Sequence, residues 1–163
     1  MMKWEARPIE VAHLLNPAFG ALLLREAAVE YTKATGTSIP FGLCFLILPL
    51  ALHPPTRRAL PSTTRSLLPQ WLESHPELQA LSAERMRRLS PYSREAILFG
   101  LQNGLLSLDS EGSVGSAVKS VRDPFPSDVA DPVECRAAAR FLGRWFGKLA
   151  NPALIFTLWG IRP

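Results

Sequence analysis

The apolar residues of this chain recur mainly at helical spacing. The first such pattern places four apolar residues on one helical face. They are Phe19, Leu22, Leu23 and Ala27. Asn16 and Pro17 precede them as an N-cap and a first-turn proline, and Gly36 follows where glycine commonly ends a helix. The pattern therefore predicts an amphipathic helix that begins at Pro17 and ends shortly before Gly36.

The stretch from Ile39 to Leu52 is apolar on nearly every side. It contains Pro40 and Pro49 and lacks the polar alternation of a half-buried strand. It therefore predicts a buried helix or a kinked pair of helices. A helix that crosses a membrane needs about 20 apolar residues, so this shorter stretch gives no reason to expect a membrane contact.

Three further helices are predicted to lead into a β-hairpin. Their ranges are 62–74, 76–89 and 91–103, and the hairpin covers 105–118. Ser62 and Ser90-Pro91 supply helix starts, and Pro69 is interpreted as a kink. Asn103-Gly104 ends the last helix, and the polar segment 109–112 forms the hairpin turn. This order of elements is typical of a winged helix-turn-helix.

Helical patterns resume after a loop at 120–130 that is rich in proline and aspartate. Asp131-Pro132-Val133-Glu134 resembles a capping box and predicts a helix that runs to about Leu149. Asn151-Pro152 begins a short final helix. The predicted fold class is therefore mainly α with a small β-hairpin, and winged helix-turn-helix-like.

We expect one domain over 1–163, since a chain of this length can bury a sizeable core. Its predicted parts are a helical N-terminal part at 1–60, a winged-helix-like part at 61–120 and C-terminal helices at 131–163. A tandem of two small winged-helix-like halves, as in some accessory subunits, is the alternative.

The charge pattern gives two candidate contact surfaces. The formal net charge is +4, which permits acidic partners without requiring them. Arg136, Arg140, Arg144 and Lys148 are four residues apart and form a cationic ridge on one helical face. This ridge could follow a phosphate backbone or meet an acidic protein surface, and a solvated helix face is the alternative.

A second basic group contains Arg57, Arg58 and Arg65, beside a stretch rich in serine and threonine. It is a candidate contact with phosphate, and a solvated loop is equally compatible with the pattern. Trp4 and Trp159 are candidate interface residues, because tryptophan dominates many binding surfaces. Trp159 is expected to pack either on the fold or on a partner.

The sequence favours no catalytic chemistry. His13, His53 and His75 are isolated, and no carboxylate pair or Cys/His cluster has the spacing of a metal site. The glycine-rich nucleotide motifs and the G-x-S-x-G hydrolase motif are missing from the sequence. We therefore predict a protein that is not an enzyme and that holds no cofactor or metal.

Cytoplasmic localisation is the expectation from the cysteines and the N-terminal residues. Cys44 and Cys135 give no disulfide framework, which suits a reducing compartment. Glu5 and Glu10 interrupt the apolar region that a signal peptide would need.

Four motifs in order carry a resemblance to a known family. They are NPAF at 16–19, LPLALHPPTR at 48–57, RFLGRWF at 140–146 and WGIRP at 159–163. Together they resemble the small middle component of bacterial three-component ABC ATPase systems, the group that includes Lamassu-type antiphage defence.

The resemblance implies an adaptor between an SMC/Rad50-like ABC ATPase and an effector, often a nuclease, that is held inactive until invading DNA is sensed. DNA would then be met through the complex, and the family supplies no catalytic residues. Two alternatives are a free-standing winged-helix DNA-binding transcriptional regulator and a small enzyme. A recognition helix should be rich in polar and basic residues, and the candidates in 91–103 are Arg94, Gln102 and Asn103, with solid apolar content between them, which favours the adaptor.

Overall fold

The computed structural model describes residues 15–122 and 130–161. Its helices are α1 (Pro17–Thr35), a 3-10 turn (Phe41–Leu43), α2 (Cys44–Ala51), α3 (Pro54–Ala59), α4 (Leu68–Glu73), α5 (Pro76–Ala80), α6 (Ser82–Gln102), α7 (Ala130–Leu149) and α8 (Pro152–Leu158). Strands β1 (Leu106–Leu108) and β2 (Val114–Ser116) form an antiparallel hairpin between α6 and α7, in which Leu108 pairs with Val114. The predicted fold class, mainly α with a small hairpin, is confirmed.

Helix α1 lies at the centre of the core, where α7, α6 and α2 pack around it. Leu23, Ala27 and Ala28 on α1 are fully buried, in line with the apolar face predicted there. Helix α2 is buried nearly all round, and Ile47 and Leu50 are fully enclosed. The apolar stretch at 39–52 is thus one buried helix with Pro49 inside it, preceded by the 3-10 turn.

Glycines allow α7 to approach α1 closely. A Cβ atom on Gly143 would overlap the carbonyl oxygen of Ala27 and lie 2.9 Å from its Cα. A Cβ on Gly147 would lie 2.8 Å from the Cβ of Ala34. The contacting residue numbers rise together on the two helices, so α1 and α7 run in the same direction along this contact.

Local signals for helix ends and for the hairpin agree with the structure. The Asn16 side chain accepts a hydrogen bond from Ala18 N at 2.9 Å, and Gly36 ends α1 with φ 80°. Asn151 caps α8 by accepting from Leu154 N at 3.0 Å. In the hairpin turn, the Asp109 carboxylate accepts from the backbone N–H groups of Glu111 and Ser113. Each of these signals depends on neighbouring residues alone, so the sequence suffices to predict them.

The predicted break at Ser90-Pro91 is wrong, because α6 continues through Pro91 to Gln102. Pro91 is exposed, so a carbonyl group that it leaves without an intrahelical partner can meet water. Met86 and Ile97, on either side of it, are both buried. Their packing outweighs the roughly 3 kcal/mol that an interior proline costs a helix. A winged helix is compatible with α6 and the β1–β2 hairpin that follows it, and it stays a prediction.

Two other predicted boundaries also differ. The helix predicted from Ser62 begins at Leu68, so Pro69 lies in its first turn instead of kinking it. The helix predicted at 76–89 is divided at Leu81, where α5 ends and α6 begins. Residues 54–59 form α3, capped by the His53 side chain, which accepts a hydrogen bond from Thr56 N at 3.3 Å.

Helix α8 closes the structure over an aromatic cluster. Trp159 is fully buried, and its ring centroid lies 6.1 Å from that of Trp71. Trp71 also packs edge-on against Trp145 at 5.6 Å. Within the described ranges, none of the helices is both long enough and apolar enough to cross a membrane.

We expect Gly143→Ala to destabilise the protein by about 3 kcal/mol, because the new methyl group meets the backbone of Ala27 and forces α1 and α7 apart. Urea unfolding measures the change in the free energy of unfolding. Gly36→Ala is the control: it has open space around it and should cost about 1 to 2 kcal/mol through its left-handed backbone. Equal costs at the two positions would contradict the close contact between α1 and α7.

Candidate functional site

Three arginines of the predicted cationic ridge form ion pairs with α1. Arg136 Nη2 lies 2.9 Å from Glu26 Oε1, and Arg140 Nε lies 2.5 Å from Glu26 Oε2. One turn further along, Arg144 Nη1 lies 2.7 Å from Glu30 Oε2. The four-residue spacing on α7 matches the four-residue spacing on α1, so each turn of one helix faces a turn of the other.

These charged side chains differ in burial: some lie at the floor of the contact between α1 and α7, and others are partly exposed at its rim. The side chains of Glu26 and Arg136 are 5% and 7% exposed, whereas those of Arg140 and Arg144 are each 43% exposed. The ridge therefore does not present all its members to solvent, because Arg136 lies beneath the surface. Lys148 is exposed at the C-terminal end of α7. Contact of the ridge with DNA or a partner stays a prediction.

The arginines keep the two carboxylates ionised. Burial alone would raise the pKa of Glu26, but the hydrogen bonds and positive charges of Arg140 and Arg136 outweigh it and lower that pKa. Burial also acts on Glu30, where Lys33 and Arg144 lower the pKa below its ordinary value. Both carboxylates are therefore charged at neutral pH and matched by cations within the fold.

Arg25 fastens the segment after the hairpin to α1. Its Nε donates to Ser116 Oγ at 3.1 Å, and its Nη2 donates to the carbonyl oxygens of Val118 and Lys119 at 3.2 and 2.9 Å. Arg25 is itself buried, and its guanidinium lies 3.5 Å from Glu26. These bonds hold Lys119 at the edge of a groove between α1, α7 and residues 119–121.

We call this feature the α1–α7 groove. Its charged lining residues are Arg25, Glu26, Glu30, Lys33, Lys119, Arg136, Arg140 and Arg144. The cationic ridge predicted from the sequence contains only the α7 members and none of those on α1 or after the hairpin. Glu26 and Glu30 have the same spacing as the arginines, and that match is the signal in the sequence that could have indicated the pairing.

The second basic group is not a single surface. Arg57 is buried and forms ion pairs with Asp131 and with Glu134, whose Oε2 lies 3.2 Å from Arg57 Nε. Its role is to hold α3 against the first turns of α7. Arg58 and Arg65 are exposed, unlike Arg57.

The remaining candidate residues lie in the core or outside the described residues. Trp159 packs on the fold, whereas Trp4 and His13 fall outside the described ranges. Cys44 and Cys135 are both buried as thiols, and burial raises the pKa of Cys44 to about 12 and that of Cys135 to about 11. Across residues 15–122 and 130–161, no group of His, Cys, Asp and Glu side chains has the arrangement needed to hold a metal.

The comparisons with known proteins define the class of this chain. It belongs to the family of middle components of ABC-three component (ABC-3C) systems, because the model of Middle Component 3 matches residues 4–163. The resemblance drawn from the four motifs is confirmed at this level, and membership implies partner subunits. No curated protein and no solved structure matches the chain.

We expect Glu26→Gln to lower the free energy of unfolding by about 3 kcal/mol, because it removes the buried carboxylate charge that pairs with the buried Arg136. Glu30→Gln is the control with the same change of charge. Its partners Lys33 and Arg144 are partly exposed, so it should cost about 1 kcal/mol or less. Thermal and urea unfolding both measure the difference. A cost at Glu26 no greater than that at Glu30 would contradict a structural role for the buried pair.

The same carboxylate predicts a dependence of stability on pH. Because the pKa of Glu26 is lower in the folded protein than in the unfolded chain, its contribution is fully present above its ordinary pKa of 4.5. That contribution is lost as the pH falls below 4.5 and through the folded value. Unfolding in urea at several pH values should therefore show a steeper loss of stability in acid for the wild type than for Glu26→Gln. Parallel curves would show that Glu26 is not held ionised.

Proposed function

We propose that this chain is the non-catalytic adaptor of a Lamassu-type ABC-3C complex in the cytoplasm, where it joins an SMC/Rad50-like ABC ATPase to an effector nuclease that responds to foreign DNA. The observation that carries the proposal is the family match over residues 4–163. A middle component works with partner subunits, and the ordered motifs of this chain resemble those of the group that includes Lamassu-type systems.

The contacts of the ionisable side chains support a structural role for them. His53 Nδ1 lies 2.7 Å from Thr56 Oγ1, and His75 Nδ1 lies 2.7 Å from the carbonyl oxygen of Trp71. Glu26 and Glu30 are neutralised by arginines. General acid–base catalysis needs such groups directed at a substrate, whereas here they tie helices and turns together.

An apolar groove between α2, α6 and α8 suits docking of the ATPase subunit. It includes Phe45, Met86, Phe156 and Ile161 in its lining. Phe41 stands beside Phe45 with ring centroids 5.3 Å apart and is 43% exposed. Partly exposed aromatic side chains such as Phe41 are enriched in the centres of protein–protein interfaces, so we assign the contact with the ATPase to this face.

Co-expression with the products of the neighbouring genes tests the adaptor role. We expect the chain to co-elute with a coiled-coil ATPase in size-exclusion chromatography, with and without ATP, at low and moderate salt. Elution of the chain alone under all these conditions would contradict the adaptor. If the isolated chain then bound one DNA sequence tightly, the result would favour a free-standing transcriptional regulator over the adaptor.

Paired substitutions locate the interface within that complex. Phe41→Gln should weaken co-elution at least tenfold, because it places an amide against Phe45 at the edge of the groove, within the proposed contact. Leu67→Gln is the matched control, since Leu67 is 58% exposed and lies outside the groove. Both positions are exposed enough that stability should change by only about 0.5 kcal/mol. Equal effects of the two variants on assembly would contradict the assignment of this face.

A further inference from the structure

The positive charge of the protein is concentrated in the α1–α7 groove. Six of its eight charged lining residues are cationic and two are carboxylates, which leaves a surplus of four positive charges. The formal net charge of the whole chain is also +4. The formal charges of the remaining residues therefore sum to zero, and this groove carries a local excess that could attract an anion.

The arrangement of the charges directs this excess outward. Glu26 and Glu30 lie at the floor with side chains 5% and 12% exposed. Lys33 is 65% exposed, Arg140 and Arg144 are 43% exposed, and Lys119 is also exposed. The carboxylates orient the guanidinium groups from below, because each arginine shares an ion pair with the floor. An approaching molecule meets the cations before it reaches the carboxylates.

We propose that the α1–α7 groove binds the phosphodiester backbone of nucleic acid, without selecting a base sequence, through Lys33, Lys119, Arg140 and Arg144. This inference deepens the proposed function and rests on it for the source of the ligand, since it assigns to this subunit a direct contact with the DNA that the complex senses. Arginine forks and lysine ammonium groups are the usual partners of phosphate oxygens, and such contacts carry no sequence information.

The lining favours nucleic acid over an acidic protein. The apolar residues that line the groove are Val29 and Val121, and no aromatic residue lines it among the described residues. Protein–protein interfaces have an apolar, aromatic-rich centre, whereas interfaces with DNA are more polar and more positive.

The salt dependence of binding provides the test, with the full chain and a fluorescent DNA duplex of random sequence in an anisotropy titration. Four phosphate contacts predict that the wild-type affinity falls about 150-fold between 50 and 200 mM salt, from a slope of about −0.9 per contact. The variant Lys119→Gln/Arg144→Gln removes two of the four proposed phosphate contacts and keeps Lys33 as the partner of Glu30. Its affinity should therefore fall only about 12-fold over the same range of salt.

The control variant is Arg88→Gln/Arg94→Gln, which removes two positive charges from exposed positions outside the groove. It should keep the wild-type affinity at low salt and the wild-type fall of about 150-fold. Thermal unfolding checks that both double variants remain folded. An equal salt response of the groove variant and the control would overturn the assignment, since it would show that net charge alone drives binding.

Three further measurements separate the sources of the ligand. Equal binding of several duplex sequences, DNA or RNA, supports contact with the backbone, whereas a tight preference for one sequence overturns it. Displacement of the duplex by millimolar inorganic phosphate at constant ionic strength would overturn it in favour of a site for small anions.

Co-elution with the ATPase is the third readout. If the groove variant lost assembly while keeping wild-type DNA affinity, the groove would belong to an acidic partner protein. Failure of the wild type to assemble would instead count against the adaptor role alone.

Discussion

Glu26 is a buried carboxylate that must be matched by positive charge inside the protein, and the contact between α1 and α7 depends on this match. A buried ion without partners costs several kcal/mol. The register of α1 against α7 that brings Arg136 and Arg140 to Glu26 is therefore favoured over registers that leave Glu26 unpaired. Gly143 makes that register reachable, because a side chain there would hold the helices apart. Charge and shape thus select the same arrangement of the two helices.

Signals confined to a few neighbouring residues could be predicted from the sequence, and signals that depend on distant packing could not. The caps at Asn16 and Asn151 and the turn at Asp109 form within one helical turn or one hairpin. The predicted break at Pro91 is wrong because Met86 and Ile97, on either side of it in the same helix, are buried against other parts of the fold. The order and class of the elements were predictable, while several boundaries were not.

The candidate site shows the same division. A row of cations at four-residue spacing indicates a helical face, but it cannot show which helix faces it. Arg136 therefore looked like a surface residue, although Glu26 on α1 draws it beneath the surface. Lys33 and Lys119 reach the same groove from elements that lie more than 80 residues apart in the chain, and only folding brings them together. An assembly role suits such a fold, since its apolar and cationic faces lie on different helices and can bind different molecules.

The two buried cysteines also determine how this protein can be studied with attached probes. A thiol reacts with maleimides and iodoacetamides as its thiolate, and burial holds the pKa of both native cysteines near 11 and 12. Cys135 is further enclosed by the guanidinium of Arg57, whose Nη1 lies 3.2 Å from its sulfur. A cysteine introduced at an exposed site such as Ser110 in the hairpin turn would therefore be the reactive one, and a dye or spin label could be attached there without first removing the native thiols.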